Sequence, residues 1–189
     1  LTSITDAKDF VFYPDSMNVY AQSFTIRPTA MGTEFPFVRG EEVYQHWLPY
    51  QYNMSIQSLE YPIKMYDTIS QLRGVLNLKP TGLKGRGKLK FKVAEMTSNN
   101  FDFNTMTFVA DTTNFDDDGW SLTNFKANAD YNEREIVFLS NDGTSLVEFP
   151  DNQYICYMDE ATWFMDKEET VFTKEDATTE QELEGLSNK

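Results

Sequence analysis

The chain has 189 residues, including 15 Phe and 10 Tyr, and a formal net charge of −14. This charge argues against a nucleic-acid partner and against an anionic membrane surface, because both bind a cationic face. One Cys and one His exclude an internal disulfide and a zinc site built from Cys and His pairs. No apolar run approaches the roughly 18 residues of a membrane-spanning helix, so we predict no transmembrane segment in this chain.

Strand-forming residues alternate along most of the chain, and the three- and four-residue spacing of amphipathic helices is missing. We therefore predict an all-β fold with little helix. The predicted strands, in chain order, are 9–13, 17–26, 42–47, 72–79, 86–96, 100–110, 120–131, 135–140, 144–149, 153–158 and 162–172. Turn residues separate them, and Asn141-Asp142-Gly143 has the composition of a hairpin turn between two of these strands.

The chain nearly repeats itself. The matching segments are Asp9-Phe10-Val11-Phe12 with Asn100-Phe101-Asp102-Phe103, Met17-x-Val19-x-Ala21 with Met106-x-Phe108-x-Ala110, and Glu34-Phe35-Pro36 plus Trp47 with Glu148-Phe149-Pro150 plus Trp163. A repeat of this kind indicates how a fold is built. We predict a partial first β repeat with an aromatic-rich connection over 1–80, a second β repeat over 81–172, and an acidic tail or linker over 173–189.

A shorter period in the second half leaves two β architectures open. Ala94, Ala110 and Ala127 recur at intervals of 16 and 17 residues, and large aromatic residues follow each of them. Stacked rungs of a β-solenoid produce such a period, because each rung places a small residue at one corner and a large one in the core. Evenly spaced strands of a β-sandwich or jelly roll produce it as well.

Lys84, Arg86, Lys88, Lys90 and Lys92 alternate strictly along the chain. On a strand, alternate residues point to the same face, so these five cations form a basic stripe on an acidic protein. The basic stripe either contacts an anionic partner, such as an acidic polysaccharide or an acidic subunit, or pairs with carboxylates on neighbouring strands. We favour pairing, because the chain holds 30 acidic residues.

Asn114, Asp116 and Asp118 have the spacing of the first ligands of a calcium loop, and Gly119 follows as a turn residue. The twelfth position of that motif is Phe125, where a bidentate Glu is expected. The pattern therefore favours a plain acidic turn, with a calcium site as the alternative. We predict no other metal or cofactor.

Trp47, Tyr50 and Tyr52 belong to an aromatic-rich middle segment. Exposed rings stack on sugars, whereas buried rings fill a core. We favour core positions, and a sugar platform on these three rings is the alternative.

His46 and Cys156 invite comparison with a catalytic base and nucleophile. No third orienting residue or family signature surrounds either of them. Carboxylates are numerous, but no spacing singles out a pair of the glycosidase kind. We therefore predict packing roles for both residues and no enzymatic activity.

Several strings carry a resemblance to known proteins: Phe10-Val-Phe12-Tyr-Pro-Asp-Ser-Met17, Met65-Tyr66, Gly82-Leu-Lys-Gly85, Thr97-Ser98-Asn-Asn-Phe101 and Phe149-Pro-Asp-Asn152-Gln-Tyr154-Ile-Cys-Tyr-Met158-Asp. They resemble repeat segments of very large uncharacterised exported proteins of gut Gram-negative bacteria, over most of residues 1–172. The stretch from Ala127 to Ile136 is similar to rungs of lipopolysaccharide-transport β-jellyroll proteins. Neither resemblance carries over an activity or a site residue.

The resemblance implies a cell envelope or surface setting and a fold built from β repeats. Asp15-Ser16-Met17, Asp67-Thr68-Ile69 and Asp111-Thr112-Thr113 are similar to the O-glycosylation acceptor of proteins exported by such bacteria. We expect a non-enzymatic segment of a large extracytoplasmic protein, acting as a structural scaffold or cell adhesion surface. The alternative is a carbohydrate- or lipid-binding module. The expected partner is a protein or glycan at the cell envelope of a Gram-negative bacterium.

Overall fold

Fifteen strands form one sheet in the part of the chain that this computed structural model describes, which is residues 2–12, 16–27, 35–142, 145–167 and 169–174. The strands are β1 Thr2–Phe12, β2 Met17–Arg27, β3 Val38–Leu48, β4 Asn53–Ser58, β5 Ile63–Met65, β6 Ser70–Lys79, β7 Gly82–Lys90, β8 Glu95–Phe103, β9 Thr107–Asp117, β10 Trp120–Asp130, β11 Glu135–Ser140, β12 Leu146–Phe149, β13 Tyr154–Cys156, β14 Glu160–Phe164 and β15 Thr170–Thr173. Two short 3-10 turns, Pro49–Gln51 and Pro150–Asn152, follow β3 and β12.

The sheet follows the order of the chain. Its path is β1-β2-β3-β4-β6-β7-β8-β9-β10-β11-β14-β15, and every neighbour pair along it is antiparallel. β4 and β5 share one position in the sheet, because both lie between β3 and β6. In the same way, β12 shares the position of β11 next to β10, and β13 shares the position of β14.

The predicted all-β class is confirmed. Stacked solenoid rungs pair in parallel, whereas all pairs among the described strands are antiparallel. The sheet therefore agrees with the sandwich or jelly-roll alternative. Among the described residues, no helix is both long and apolar enough to cross a bilayer.

The strands bend along one line, which we call the crease. β8 and β9 each expose two consecutive residues in the middle of their inside-outside alternation, Asn99-Asn100 and Asp111-Thr112. Gly87, with a φ of +129°, lies at a register shift between β7 and β8, and Asn124, with a φ of +65°, lies at one between β9 and β10. Because the alternation slips by one residue at the crease, the apolar residues of both strand halves stay on the inner side.

The crease divides the sheet into two layers that face each other. One layer holds β5, β12, β13 and the adjoining halves of β6 to β10, and the other holds β4, β11, β14, β15 and the remaining halves. Rings of the two layers meet in the core, with centroid distances of 5.4 Å between Phe91 and Trp163 and 5.1 Å between Trp120 and Phe172. Phe91 follows β7 and Trp163 belongs to β14, so the sheet rolls over the four strands between them and closes a sandwich.

Three predicted strands, 86–96, 100–110 and 162–172, are wrong in their bounds. β7 ends at Lys90, β8 ends at Phe103 and β14 ends at Phe164, so each predicted strand runs across a real turn. The polar pair Asn99-Asn100 has the composition of a turn, yet it lies inside β8 at the crease. Composition alone does not separate a turn from a bend within a strand, because both favour small polar residues.

The hairpin prediction at Asn141-Asp142-Gly143 is wrong as well. β11 and β12 both pair with β10 and not with each other, so this segment interrupts one strand position at the crease. Gly143 itself lies outside the described residues.

The sheet is continuous at the predicted boundary near residue 80, where Lys79 of β6 pairs with Gly82 of β7. The two tryptophans matched by the repeat differ in environment, since Trp47 is 39% exposed and Trp163 is 2% exposed. The two 3-10 turns are nearly identical, because each ends at a left-handed residue with φ near +50°. Asp15, Glu34 and residues 175–189 lie outside the described residues. The repeat and the domain division stay predictions.

Candidate functional site

A polar groove lies on the outer side of the crease, over β7, β8 and β9, and we call it the crease groove. Its volume is about 680 Å³. Six exposed polar residues in its lining are Thr97, Asn99, Asn100, Asp111, Thr112 and Asn114. Gly87 and Lys88 form the β7 side of the groove, and Lys88 belongs to the basic stripe. The groove therefore offers amide, hydroxyl, carboxylate and ammonium groups to a ligand.

Buried hydroxyl groups hold the floor of the crease groove in place. The Ser98 hydroxyl donates to the Thr112 carbonyl oxygen at 2.7 Å and accepts from the Asn100 backbone N–H at 3.2 Å. The Thr113 hydroxyl donates to the Phe125 carbonyl oxygen at 2.8 Å. These bonds serve backbone groups at the slip in the ladder, where regular strand pairing does not reach them.

Two side chains of the lining keep their hydrogen-bonding groups open to solvent. Asn100 Nδ2 donates to Asp111 Oδ2 at 3.2 Å, which ties β8 to β9 across the groove. Asn99 and Thr112 are exposed, and within the described chain their side chains make no hydrogen bond. Sequence reasoning missed this site, although two adjacent polar residues inside a run of alternating apolar residues are a usable signal for such a bend.

The basic stripe lies on the outer side of β7, as predicted, except that Lys92 is in the exposed turn after the strand. Lys84 pairs with Asp102 at 3.0 Å, Lys88 with Glu95 at 2.6 Å, and Lys90 with Glu95 at 3.9 Å, all across the β7–β8 ladder. The hydrogen bond from Lys88 holds the pKa of Glu95 below its usual value. Pairing thus accounts for three of the five cations.

Arg86 differs from the lysines of the basic stripe. Its side chain is exposed and makes no ion pair or hydrogen bond with the described residues. Arg73 of β6 lies directly opposite Lys88, and its Nη1 donates to the Glu60 carbonyl oxygen at 3.1 Å. Sequence reasoning missed Arg73, because strand register and not chain spacing places it beside the basic stripe.

The structure exposes the three candidate aromatic residues at the β3–β4 turn and does not stack their rings. Tyr50 and Tyr52 are 79% and 75% exposed, so the core positions favoured for them are wrong. Trp47 lies on the inner side of β3, opposite Met17 and Met54, but it is 39% exposed and is not part of the core, so the core position favoured for it is wrong too. The three residues do not form one platform.

A different aromatic pair lies on the outer face of β2 and β3. Tyr20 and Tyr44 are cross-strand partners with ring centroids 4.9 Å apart. Next to them, the Tyr44 hydroxyl donates to Asn18 Oδ1 at 2.7 Å, and His46 Nδ1 contacts the same oxygen at 2.5 Å. His46 is thus a half-buried structural residue of this face, in agreement with the predicted packing role.

The remaining candidates do not assemble into a metal or catalytic centre. Asn114 and Asp116 lie on β9 and not in a loop, and Asn114 Oδ1 accepts from the Asn124 backbone N–H at 3.4 Å. Within the described residues, no group of three or more His, Cys, Asp and Glu side chains is arranged to hold a metal ion. Cys156 is buried on β13, and burial raises the pKa of its thiol.

No protein-family model matches this sequence, and comparisons with curated proteins and with solved structures find no match.

Proposed function

We propose that this chain is a non-enzymatic β-sandwich module that acts as an adhesion surface by binding carbohydrate in the crease groove. One observation carries the proposal: the groove presents open amide and hydroxyl groups, such as those of Asn99 and Thr112, on strands that are already hydrogen-bonded to each other. Sugar hydroxyls need many directed donors and acceptors. A site formed before binding also loses little conformational entropy when the ligand arrives.

The composition of the crease groove supports binding over catalysis. Asp111 contributes the one carboxylate of its lining, and Asn100 already binds that carboxylate. Glycoside hydrolysis by the common route uses two carboxyl groups on either side of the scissile bond. The groove is suited to holding a glycan and has no second carboxyl group to cleave it.

A glycan microarray followed by titration of the bound glycans tests this proposal. The test variant is Asn99→Ala with Thr112→Ala, because neither side chain supports the described fold. The matched control is Asn152→Ala with Thr105→Ala, which removes the same groups from exposed turns away from the groove. We expect the test variant to bind about tenfold more weakly, since each lost hydrogen bond contributes about 0.5–1.5 kcal/mol. A blank array, or equal loss in both variants, would remove the carbohydrate proposal.

A purely structural scaffold is the second candidate. The ion pairs of Lys84, Lys88 and Lys90 favour it, because they show how cations of the basic stripe are used within the sheet. A scaffold role predicts no glycan that depends on Asn99 and Thr112.

The proposed setting is the surface of a Gram-negative bacterium, within a larger repeat-built exported protein. The resemblance described above supports this setting, and so does the exposure of Thr68 at one of the acceptor-like sequences. Surface labelling of intact cells, compared with labelling after lysis, tests the location.

A further inference from the structure

We propose that the crease groove selects an acidic sugar and that Arg86, with Arg73 beside it, holds the oxyanion of that sugar. The ligand class is a polysaccharide bearing carboxylate or sulfate groups. This inference rests on the carbohydrate function proposed above and adds the charge of the ligand and the residues that read it.

Strand register brings Arg86 to the groove. The β7–β8 ladder pairs Gly85 with Phe101 and Gly87 with Ser98, so Arg86 lies opposite the exposed pair Asn99-Asn100 at the register shift. Register therefore places Arg86 at the edge of the groove, beside Gly87 and Lys88 of its lining. An arginine offers a carboxylate or sulfate a planar, bidentate set of donors.

The distribution of acidic residues leaves the middle of β7 positively charged. Asp102 pairs with Lys84 at one end, and Glu95 is shared by Lys88 and Lys90 at the other, where one positive charge is left in excess. Among the described residues, none supplies a carboxylate to Arg86 between those ends. An anion that enters the groove completes the pairing that the protein itself provides only at the two ends of the strand.

Arg73 adds a second positive charge at the same place. It is directly opposite Lys88 on β7, and like charges at opposed positions of a ladder are destabilising. Arg73 is also the diagonal neighbour of Arg86, since Arg86 is opposite Val75, two residues along β6. Diagonal neighbours are about 7–8 Å apart. The Arg73 guanidinium donates to the Glu60 carbonyl oxygen, so Arg73 adds positive charge beside Arg86 while Arg86 makes the direct contact with the oxyanion.

Two glycines hold β6 and β7 unusually close at this point. A Cβ atom on Gly87 would lie 2.3 Å from the Arg73 carbonyl oxygen, and one on Gly74 would lie 2.1 Å from the Arg86 carbonyl oxygen. Only glycine permits this approach. The close contact fixes the backbone of both arginines, so their relative position is part of the fold.

The size of the groove favours a saccharide over an acidic protein. Its volume of about 680 Å³ lies within the roughly 300–1,000 Å³ of sites that enclose small ligands. A stable protein partner instead needs about 800 Å² of complementary surface on each side. The net charge of −14 repels any anion at long range, so recognition depends on cations in direct contact.

The test uses a panel of uronic-acid oligosaccharides, each beside its carboxyl-reduced neutral counterpart and its sulfated derivative, titrated calorimetrically into the full chain. Buffers of about 0.15 M ionic strength screen long-range repulsion beyond about 8 Å. We expect acidic forms to bind better than neutral ones, and Arg86→Gln to lower the acidic affinity roughly 10- to 100-fold while leaving neutral affinity unchanged. Lys84→Gln is the matched control from the same face of β7, and we expect it to change affinity by less than about threefold.

The outcomes separate this inference from the function on which it rests. If acidic and neutral forms bind equally and both depend on Asn99 and Thr112, carbohydrate binding stands and the oxyanion site is wrong. If Lys84→Gln weakens binding as much as Arg86→Gln, the attraction is diffuse and the site is wrong. Tighter binding of poly-glutamate than of every sugar, again dependent on Arg86, would replace the saccharide with an acidic peptide. No binding in the whole panel would overturn both proposals. The sulfated arm identifies which oxyanion the arginines prefer.

Discussion

The ring of Tyr66 lies flat against the ring of Tyr131, with centroids 3.8 Å apart and planes inclined by 16°. Tyr66 follows β5 in one layer and Tyr131 follows β10 in the other, so the stack joins the two layers at one end of the sandwich. The Tyr66 hydroxyl donates to the carbonyl oxygens of Asn104 and Thr107, and the Tyr131 hydroxyl is hydrogen-bonded to Ser70 at 2.7 Å. Burial raises the pKa of both phenols.

This stack predicts loss of stability in alkali. An unfolded tyrosine titrates near pH 10, whereas both buried phenols stay protonated well above that pH in the native state. Their contribution is therefore complete below about pH 10 and is lost as pH rises, because the unfolded chain then binds fewer protons. We expect the free energy of unfolding to fall by about 1.4 kcal/mol per pH unit for each group above pH 10. Urea titrations between pH 8 and pH 11.5 measure this slope.

Phe variants provide the control for alkaline unfolding. Tyr66→Phe with Tyr131→Phe keeps the rings and removes both titrating groups, so we expect a lower starting stability and a flatter pH profile. Tyr50→Phe removes an exposed phenol instead. We expect that change to leave the slope as it is. Equal slopes in all three proteins would contradict the assignment.

Gly87→Ala tests the close approach of β6 and β7. The added Cβ meets the Arg73 carbonyl oxygen at 2.3 Å, and the φ of +129° disfavours any L side chain. We expect a cost of about 3–5 kcal/mol, as strain and overpacking add. Gly119→Ala is the matched control, because its φ is also positive at +91° but no atom lies within 4 Å. Its expected cost is about 1 kcal/mol. The midpoints of denaturant unfolding measure the cost of each variant. Similar costs for the two variants would contradict a tight contact between β6 and β7.

Trp163→Ala tests the face-to-face packing of the two layers. The indole packs against the rings of Phe91 and Phe115, with ring centroids 5.4 Å and 5.3 Å apart. Its Nε1 donates to Asp117 Oδ2 at 2.8 Å. We expect a loss of about 3–5 kcal/mol from the cavity and the broken hydrogen bond. Trp47→Ala removes the other repeat-matched indole, and we expect about 1 kcal/mol or less. Thermal unfolding of both variants measures these losses of stability. Equal losses would contradict the different packing of the two tryptophans.

Cys156 predicts slow thiol chemistry in the native protein. It is 6% exposed, and burial raises the pKa of the thiol, so little reactive thiolate forms near neutral pH. We expect iodoacetamide at pH 8 to alkylate the native chain at least about tenfold more slowly than the chain unfolded in urea. Glutathione in each buffer corrects for the effect of urea on the reagent. A native rate equal to the unfolded rate would place the thiol at the surface.

The local sequence pattern was sufficient to predict the fold class and the outward direction of the basic stripe on β7. Leu83 and Leu89 alternate with Lys84, Lys88 and Lys90 on β7, and the structure buries the first set and exposes the second. Strand alternation is a property of successive residues, so it is readable before any partner is known. Pairing of the three lysines with acids followed from the same reasoning, because opposed charges on neighbouring strands attract.

The crease was harder to predict from the sequence, because a slip in the inside-outside alternation looks like the end of a strand. Asn99-Asn100 has the composition of a turn, but the backbone continues through it with β7 and β9 on either side. The choice between a turn and a bend depends on whether the neighbouring strands slip at the same level. That agreement between strands is a tertiary property.

All-β class, the acidic character and the outward cations of β7 were therefore decided by the order of residues alone, since each depends only on composition or on period-two alternation. Tertiary structure decided that Trp163 is buried while Trp47 reaches solvent, and that Arg73 and Arg86 are diagonal neighbours on β6 and β7. These relationships join residues far apart in the chain. They arise because the strands bend along a common line, which brings one half of the sheet over the other and buries the apolar faces of both halves in a single core.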